Sequence, residues 1–319
     1  MAAAGPMIAG TGERHNVDAS PMKDMSNMPD TAEFYSQPAR FTSPGKHADT
    51  LAGLPADLAA LAEVAHGLIV HEHMAGMYGF ELATERRASV HLRPVSRLLD
   101  QITAEDSRPL EVPREPSARV PGNCRHFTVL TVAALRAHGV PARARCGFGG
   151  YFGTGWYEDH WVCEYWNAET GRWTLADAQI DDLQRKVFGL GLDVYDLSRD
   201  DFLIAGDAWL RCRAGLADPG KFGVSFMNES GYWWIAANLL RDIAALNNME
   251  MLPWDIWGEM LRPDEEPDAA QIAFFDQLAV LTADADVGFA ELTARYQADP
   301  RLTVPASVFN GVLKRVDEV

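Results

Sequence analysis

The sequence predicts an α+β fold, in which one helix packs on an antiparallel sheet and further helical segments flank this core. The centre of the chain shows a helical pattern over residues 124–138, and three strand patterns follow at 142–148, 160–166 and 172–176. Helical patterns on both sides of this block indicate the flanking segments.

The N-terminal third predicts a loose extension followed by two helices. Residues 1–45 are rich in Gly, Ala, Met, Ser, Pro and Asp and show no period, so we expect a flexible extension. A helix is predicted to begin near Pro55, and a short one around Val95. The segment 105–121 contains four prolines and predicts a loop.

Local signals bound the central helix closely. The pair Pro121-Gly122 interrupts the preceding chain, and Asn123 is a favourable N-cap residue. At the other end, Gly139 can adopt the left-handed conformation that stops a helix, and Pro141 follows it. The first residue inside the predicted helix is Cys124.

The strands after this helix predict a meander. Residues 142–148 alternate small residues with arginines, which indicates a strand with one polar face. A glycine-rich aromatic loop, 149–159, leads to the second strand. A short turn at 167–171 then predicts that the second and third strands pair antiparallel.

The C-terminal part predicts a helical layer. Helical patterns run over 201–213 and 232–246, another short helix is expected after Pro253, and two or three more follow. We therefore divide the chain into an extension (1–45), a core with N-terminal helices (46–181) and a helical region packed on the core (182–319).

Composition excludes several classes of function. The 319 residues carry 28 Lys+Arg and 45 Asp+Glu, a net charge of −17, which disfavours nucleic acid or an anionic membrane as partner. The chain shows neither an apolar run of about 18 residues nor a signal-peptide pattern. The four cysteines form no CxxC pair, so we expect reduced thiols in the cytoplasm. The sequence does not predict the oligomeric state.

Three residues offer the parts of a thiol nucleophile. Cys124 lies at the predicted start of a helix, where the dipole and free N–H groups favour thiolate over thiol. His160 lies on the second strand, and Asp177 follows the third. Because a hairpin joins these strands, the imidazole and the carboxylate should be neighbours, as a base and the group that orients it.

Four stretches around these residues resemble the transglutaminase-like superfamily. They are the G-x-C of Gly122 to Cys124, the segment 135–143, the segment 159–165 with its His-Trp pair, and 173–177 with its Trp and Asp. The resemblance covers about residues 120–180. The helical segments on both sides of this stretch look like those of a bacterial subgroup. One departure is that Ala178-Gln179 follows Asp177, where many members continue differently.

This resemblance implies a papain-like, transglutaminase-like core with Cys124, His160 and Asp177 as catalytic residues. It implies acyl transfer at an amide or ester carbonyl through a Cys124 thioester, with no cofactor and no metal. The expected substrate is a peptide-like or small-molecule amide or ester. Hydrolysis or deamidation is the first hypothesis, amine transfer to form a new amide is the second, and a non-catalytic binding protein is the third.

Residues near the cysteine and in the aromatic loop are further candidates. For oxyanion or substrate binding these are Gly122, Asn123, Trp156, Tyr157 and Trp161. The run His71-Glu72-His73 suggests metal ligands at first sight. However, two histidines at i and i+2 do not share a helix face, so a solvated or hydrogen-bonded role is preferred.

Overall fold

The computed structural model describes residues 30–319 and confirms the α+β class. In chain order the first elements are α1 (Ala32–Ser36), α2 (Ala48–Ala52), α3 (Leu58–Leu68), β1 (Ile69–His71), α4 (Val95–Glu105), β2 (Val120–Gly122), α5 (Cys124–Ala137), β3 (Ala142–Gly149), β4 (Tyr157–Asn167) and β5 (Arg172–Ala176). The remainder are α6 (Asp182–Phe188), β6 (Phe202–Ile204), α7 (Ala205–Arg213), β7 (Phe222–Val224), β8 (Glu229–Ser230), α8 (Tyr232–Leu246), β9 (Asp255–Ile256), α9 (Ala269–Ala283), α10 (Phe289–Ala298), β10 (Ser307–Asn310) and β11 (Arg315–Glu318).

The main sheet has the strand order β6-β3-β4-β7-β8, and β5 also pairs with β4. Strands β3, β4 and β5 pair antiparallel as predicted, but β7 runs parallel to β4, so the sheet is mixed. One edge of β4 is occupied by β3. The other edge carries β7 at Tyr157 and Glu158, and β5 from Cys163 to Asn167. His160 therefore lies at the point where the two partner strands of β4 diverge.

Helix α5 is the central helix of the described structure. Thirteen of its residues, Cys124 to Arg136, are buried, because it packs on β3 and β4 while α3 and α4 cover its other side. The predicted boundaries hold at both ends: Asn123 precedes the helix in an extended conformation, and Gly139 is left-handed with φ +68°. The cysteine-bearing end of the helix is thereby held against the sheet.

The prediction of a flexible N-terminal extension is wrong for residues 30–45, the part of it that the structure describes. Residues 1–29 lie outside the described residues, but residues 30–45 include α1 and bury Tyr35 and Phe41. The Tyr35 hydroxyl donates to the carbonyl of Leu246, 2.9 Å away at the end of α8. Aromatic anchors order this segment, although its sequence has no helical period.

The C-terminal region is less purely helical than predicted. Helix α7 begins at Ala205, because the preceding residues form β6 and pair with β3. The helix expected after Pro253 is absent: Asp255 accepts from Leu252 N–H at 2.9 Å in a tight turn, and β9 follows. Strands β9, β10 and β11 form a separate antiparallel sheet.

The C-terminal helices share a hydrophobic core with earlier parts of the chain. Residues of α7, α8, α9 and α10 cluster with Tyr35, Phe41 and Phe148 of the N-terminal half. The division into three regions remains a prediction, but residues 182–319 contact the sheet directly through α8 and α7. Within residues 30–319, none of the helices combines the length and the apolar character that crossing a bilayer requires.

Candidate active site

Cys124 is the first residue of α5, at the junction with β2. The Asn123 N–H donates to Nδ1 of His126 at 3.2 Å, so the third helical residue reaches back to the N-cap. The Cys124 side chain is 7% exposed and packs among Ala144, Cys146, Trp161 and Ala245. Since the first N–H groups of a helix have no intrahelical acceptor, the backbone at Cys124 can bind an anionic atom.

The His160 imidazole lies between Cys124 and Asp177. Its Nε2 is 2.8 Å from Oδ2 of Asp177, which follows directly after β5. Because Nε2 faces the carboxylate, the other ring nitrogen, Nδ1, is available to the thiol. The three side chains that the sequence predicts to form the site are therefore brought together.

The attraction between His160 and its partners Asp177 and Cys124 affects the pKa of His160 more than burial does. Burial by itself opposes a positive imidazole, but the charge and hydrogen bond of Asp177, followed by the hydrogen bond and charge of Cys124, raise the pKa of His160 to about 10. Burial also raises the pKa of Asp177, yet His160 and its other donors hold it below the ordinary value of 3.8. The site therefore favours an imidazolium–carboxylate pair.

Asp177 has partners that the sequence analysis missed. The Tyr151 hydroxyl donates to Oδ2 at 2.7 Å, and the Gln179 N–H donates to Oδ1 at 2.9 Å. The Asp177 N–H donates to the carbonyl of Val194 at 2.7 Å. The sequence shows a glycine-rich aromatic loop at 149–159, but nothing in its pattern distinguishes Tyr151 from the other aromatic residues.

The loop after β3 also covers the imidazole. The edge of the Phe152 ring meets His160 with 5.0 Å between ring centroids and an interplanar angle of 77°. A Cβ atom at Gly149 would lie 2.6 Å from that ring, so only glycine allows this fold of the loop. Tyr151 and Phe152 are each 8% exposed. This loop therefore shields the His160–Asp177 pair from water.

The other cysteines lie in less reactive surroundings. Burial raises the pKa of Cys146 and of Cys163 well above the ordinary thiol range, and that of Cys212 to about 12. Cys163 lies in the core cluster beneath α5, and Cys212 lies in the C-terminal core. All three side chains are thus buried in the packed interior.

The predicted oxyanion and substrate residues lie in different places. Gly122 and Asn123 adjoin Cys124, and Trp161 is fully buried beside it. Tyr157 stacks on Phe222, with centroids 4.5 Å apart at 4°, and thus belongs to the packing of the sheet. Trp156 lies under the ammonium group of Lys221, 5.3 Å from it, on the half-exposed end of the loop. Their roles remain predictions.

The His71-Glu72-His73 run lies next to the cysteine, which the sequence did not reveal. His71 pairs with Gly122 in the parallel β1–β2 ladder, and Glu72 N–H donates to the Gly122 carbonyl at 2.9 Å. Glu72 is buried and pairs with Arg87 at 3.0 Å. Among residues 30–319, no group of three or more His, Cys, Asp or Glu side chains could hold a metal ion.

Comparisons with known proteins bear on the same stretch. The model of the transglutaminase-like superfamily matches residues 92–178, which include Cys124, His160 and Asp177. Among solved structures, a candidate cysteine protease from Cytophaga hutchinsonii is 17% identical, with a TM-score of 0.33, over 58% of this chain and 51% of that one. The chain thus spans about half the length of that protein. A comparison with curated proteins gave no match. The similarity to the transglutaminase-like superfamily therefore covers residues 92–178 and, within them, all three candidate residues.

Proposed function

We propose that the protein is a thiol-dependent acyl-transfer enzyme that hydrolyses or deamidates a peptide-like amide, or cleaves an ester, through a thioester on Cys124. The observation that carries this proposal is the hydrogen-bonded His160–Asp177 pair, 2.8 Å apart, beside a thiol at a helix N-terminus. Each of these groups has the chemistry that one step of acyl transfer needs.

In the proposed reaction, the Cys124 thiolate attacks the carbonyl carbon and a C–S bond forms. The π electrons move to oxygen, and they return as the bond to the leaving group breaks. His160 gives its proton to the leaving amine or alkoxide, which leaves a thioester on Cys124. His160 then takes a proton from water as the water oxygen attacks the thioester carbonyl carbon. The C–S bond breaks, the carboxylic acid leaves, and the Cys124 thiolate and the His160 imidazolium are restored.

Asp177 supports both proton transfers without accepting a proton itself. Its hydrogen bond to Nε2 keeps Nδ1 of His160 directed at the reacting atoms and stabilises the imidazolium. Tyr151 in turn holds the Asp177 carboxylate in place. The cover formed by Phe152 limits water around the pair and strengthens these interactions.

A 4-nitrophenyl ester tests the proposal, with acyl-enzyme observed by mass spectrometry and turnover by absorbance. We expect Cys124→Ala to abolish the adduct, His160→Ala to lower acylation roughly 10²–10⁴-fold, and Asp177→Ala to lower it less. Asp182→Ala, an exposed carboxylate five positions further on, is the matched control and should leave the rate unchanged. An adduct that forms at full rate in Cys124→Ala would refute the proposal.

Iodoacetamide labelling of the folded protein gives a second readout. Cys124 should react before Cys146, Cys163 and Cys212, since burial raises the pKa of those three thiols. Adding a labelled primary amine to the ester reaction then distinguishes hydrolysis from amine transfer. Label incorporated into the acyl product would favour the transfer reaction instead.

A further inference from the structure

We propose that His71 is a catalytic residue whose Nε2–H, together with the Cys124 N–H, binds the substrate carbonyl oxygen as it becomes an oxyanion. This inference rests on the proposed acyl transfer and supplies that reaction with a side-chain hydrogen-bond donor to the oxyanion. Thiolate attack places negative charge on that oxygen, and donors aimed at it commonly supply a large part of the rate enhancement.

Strand pairing places the backbone of His71 beside the nucleophile. In the parallel β1–β2 ladder His71 lies opposite Gly122, two residues before Cys124. Neighbouring strands are about 4.8 Å apart, so the two segments run side by side up to the first turn of α5. The Glu72 N–H, bonded to the Gly122 carbonyl, continues this pairing past the end of the strand.

The side chain of His71 lies on the face of β1 that meets the start of α5. A Cβ atom at Gly122 would lie 2.9 Å from Cγ2 of Ile69 and 3.0 Å from Cβ of His126, so Ile69 and the first turn of α5 share that face. Residues i and i+2 of a strand point the same way, which places His71 with Ile69. Unlike His160, which is 3% exposed, His71 is only half-buried.

Hydrogen bonding determines which nitrogen of His71 carries the proton. The His73 N–H donates to Nδ1 of His71 at 3.3 Å, so Nδ1 is the acceptor and Nε2 carries the hydrogen. Burial, then the positive charges of His73 and His160, lower the pKa of His71 to about 3, against a weaker opposing effect of Asp177. The ring is therefore a neutral donor at neutral pH and leaves proton transfer to His160.

Two substitutions separate this role from a structural one. The amide nitrogen of Gln can stand near the position of Nε2, whereas the amide oxygen of Asn can stand near Nδ1 and still accept from His73 N–H. We expect His71→Gln to keep acylation by the 4-nitrophenyl ester within about tenfold of the parent. His71→Asn should lower it by roughly 10²–10³-fold.

Alkylation of Cys124 by iodoacetamide is the internal control, because that reaction forms no oxyanion. Both His71 variants should be alkylated at the parent rate, and Asp182→Ala, at an exposed carboxylate outside the site, should leave both reactions unchanged. If His71→Asn is active and His71→Gln is not, or if alkylation falls in proportion to acylation, His71 only shapes the site. If the parent protein forms no acyl-enzyme at all, the proposed function itself fails.

Discussion

At the scale of single residues, the site shows how a buried ion pair is made tolerable. His160 and Asp177 are nearly inaccessible, at 3% and 0% exposure, so each charge would be costly alone. The carboxylate is satisfied by the imidazole and the Tyr151 hydroxyl on one oxygen and by a backbone N–H on the other. Each of these hydrogen-bond donors stabilises the negative carboxylate of Asp177. The negative charge of Asp177 in turn stabilises the protonated imidazolium of His160.

Removing the charge of Asp177 should change the pH dependence of stability. The pKa of His160 is raised from 6.5 to about 10, so its stabilising contribution is complete below pH 6.5 and lost as the pH rises toward 10. The pKa of Asp177 is lowered, so its contribution is present above about pH 4 and lost at lower pH. The stability difference between the parent and Asp177→Asn should therefore be largest between about pH 4 and 6.5.

Urea unfolding at pH 6 and pH 9.5 measures this difference. We expect it to shrink by at most about 1.4 kcal/mol per pH unit over that interval, the limit for one proton. The exposed Asp182→Asn serves as the control and should show no such trend. A difference for Asp177→Asn that is constant or grows with pH would contradict the pairing.

At the scale of secondary structure, the main sheet carries a second buried charge network. The arginines that predict a polar face on β3 are not solvated: Arg143 and Arg145 both bind Glu164 of β4, at 2.6 and 2.9 Å. Arg145 also pairs with Asp242 of α8 at 2.9 Å, and Asp242 accepts from Cys146 N–H. The network thus fixes α8 to the strand that lies beside the His160 strand.

Glu164→Gln should destabilise the fold more than it changes the chemistry. Loss of this carboxylate leaves two buried guanidinium groups short of a counter-ion, at a cost of about 3–5 kcal/mol in the free energy of unfolding. Urea denaturation measures that cost, while the Cys124 alkylation rate of the folded fraction should stay near the parent value.

An exposed pair on the neighbouring strand provides the comparison. Arg172 and Asp196 have side chains that are 49% and 47% exposed, so Arg172→Gln should cost no more than about 1 kcal/mol. If Glu164→Gln and Arg172→Gln lowered the free energy of unfolding equally, burial of the charge network would contribute little to stability.

At the scale of the whole molecule, the two halves of the chain complete one another's cores. Phe148 of β3, together with Tyr35 and Phe41, packs into the cluster built by α7 to α10. The Thr31 hydroxyl donates to Asp286 at 2.5 Å, and Arg143 binds the same carboxylate at 2.9 Å. Contacts from the N-terminal segment and from the C-terminal region thus meet at β3 of the sheet that carries His160.

A fragment of residues 1–181 should therefore fail to fold cooperatively. It retains Cys124, His160 and Asp177 but loses the cover of Phe148 and the Asp242 partner of Arg145. Far-UV circular dichroism, binding of a hydrophobic dye and urea unfolding, compared with the full chain, measure the outcome. A sharp unfolding transition without dye binding would show that residues 182–319 form a separate layer.

The sequence by itself determined the helix–strand order of the centre and the positions of the three candidate residues. Asn123 marks the start of α5 and Gly139 marks its end, because each residue favours the local backbone conformation found there. The strand patterns that follow correctly predict β3, β4 and β5. A short hairpin between β4 and β5 was then enough to bring His160 and Asp177 together. Signals that act over a few residues are readable without knowledge of the rest of the chain.

Only the tertiary structure decided what surrounds them. Tyr151 on Asp177, His71 beside Gly122 and β7 running parallel to β4 all join segments distant in sequence. The periodicity of a segment shows which face is apolar, but it carries no information on what will cover that face. For this reason the sequence predicts a polar face for the arginines of β3, whereas the structure buries them. Likewise, a turn at Asp255, whose carboxylate pairs with Arg93, takes the place of the helix expected after Pro253.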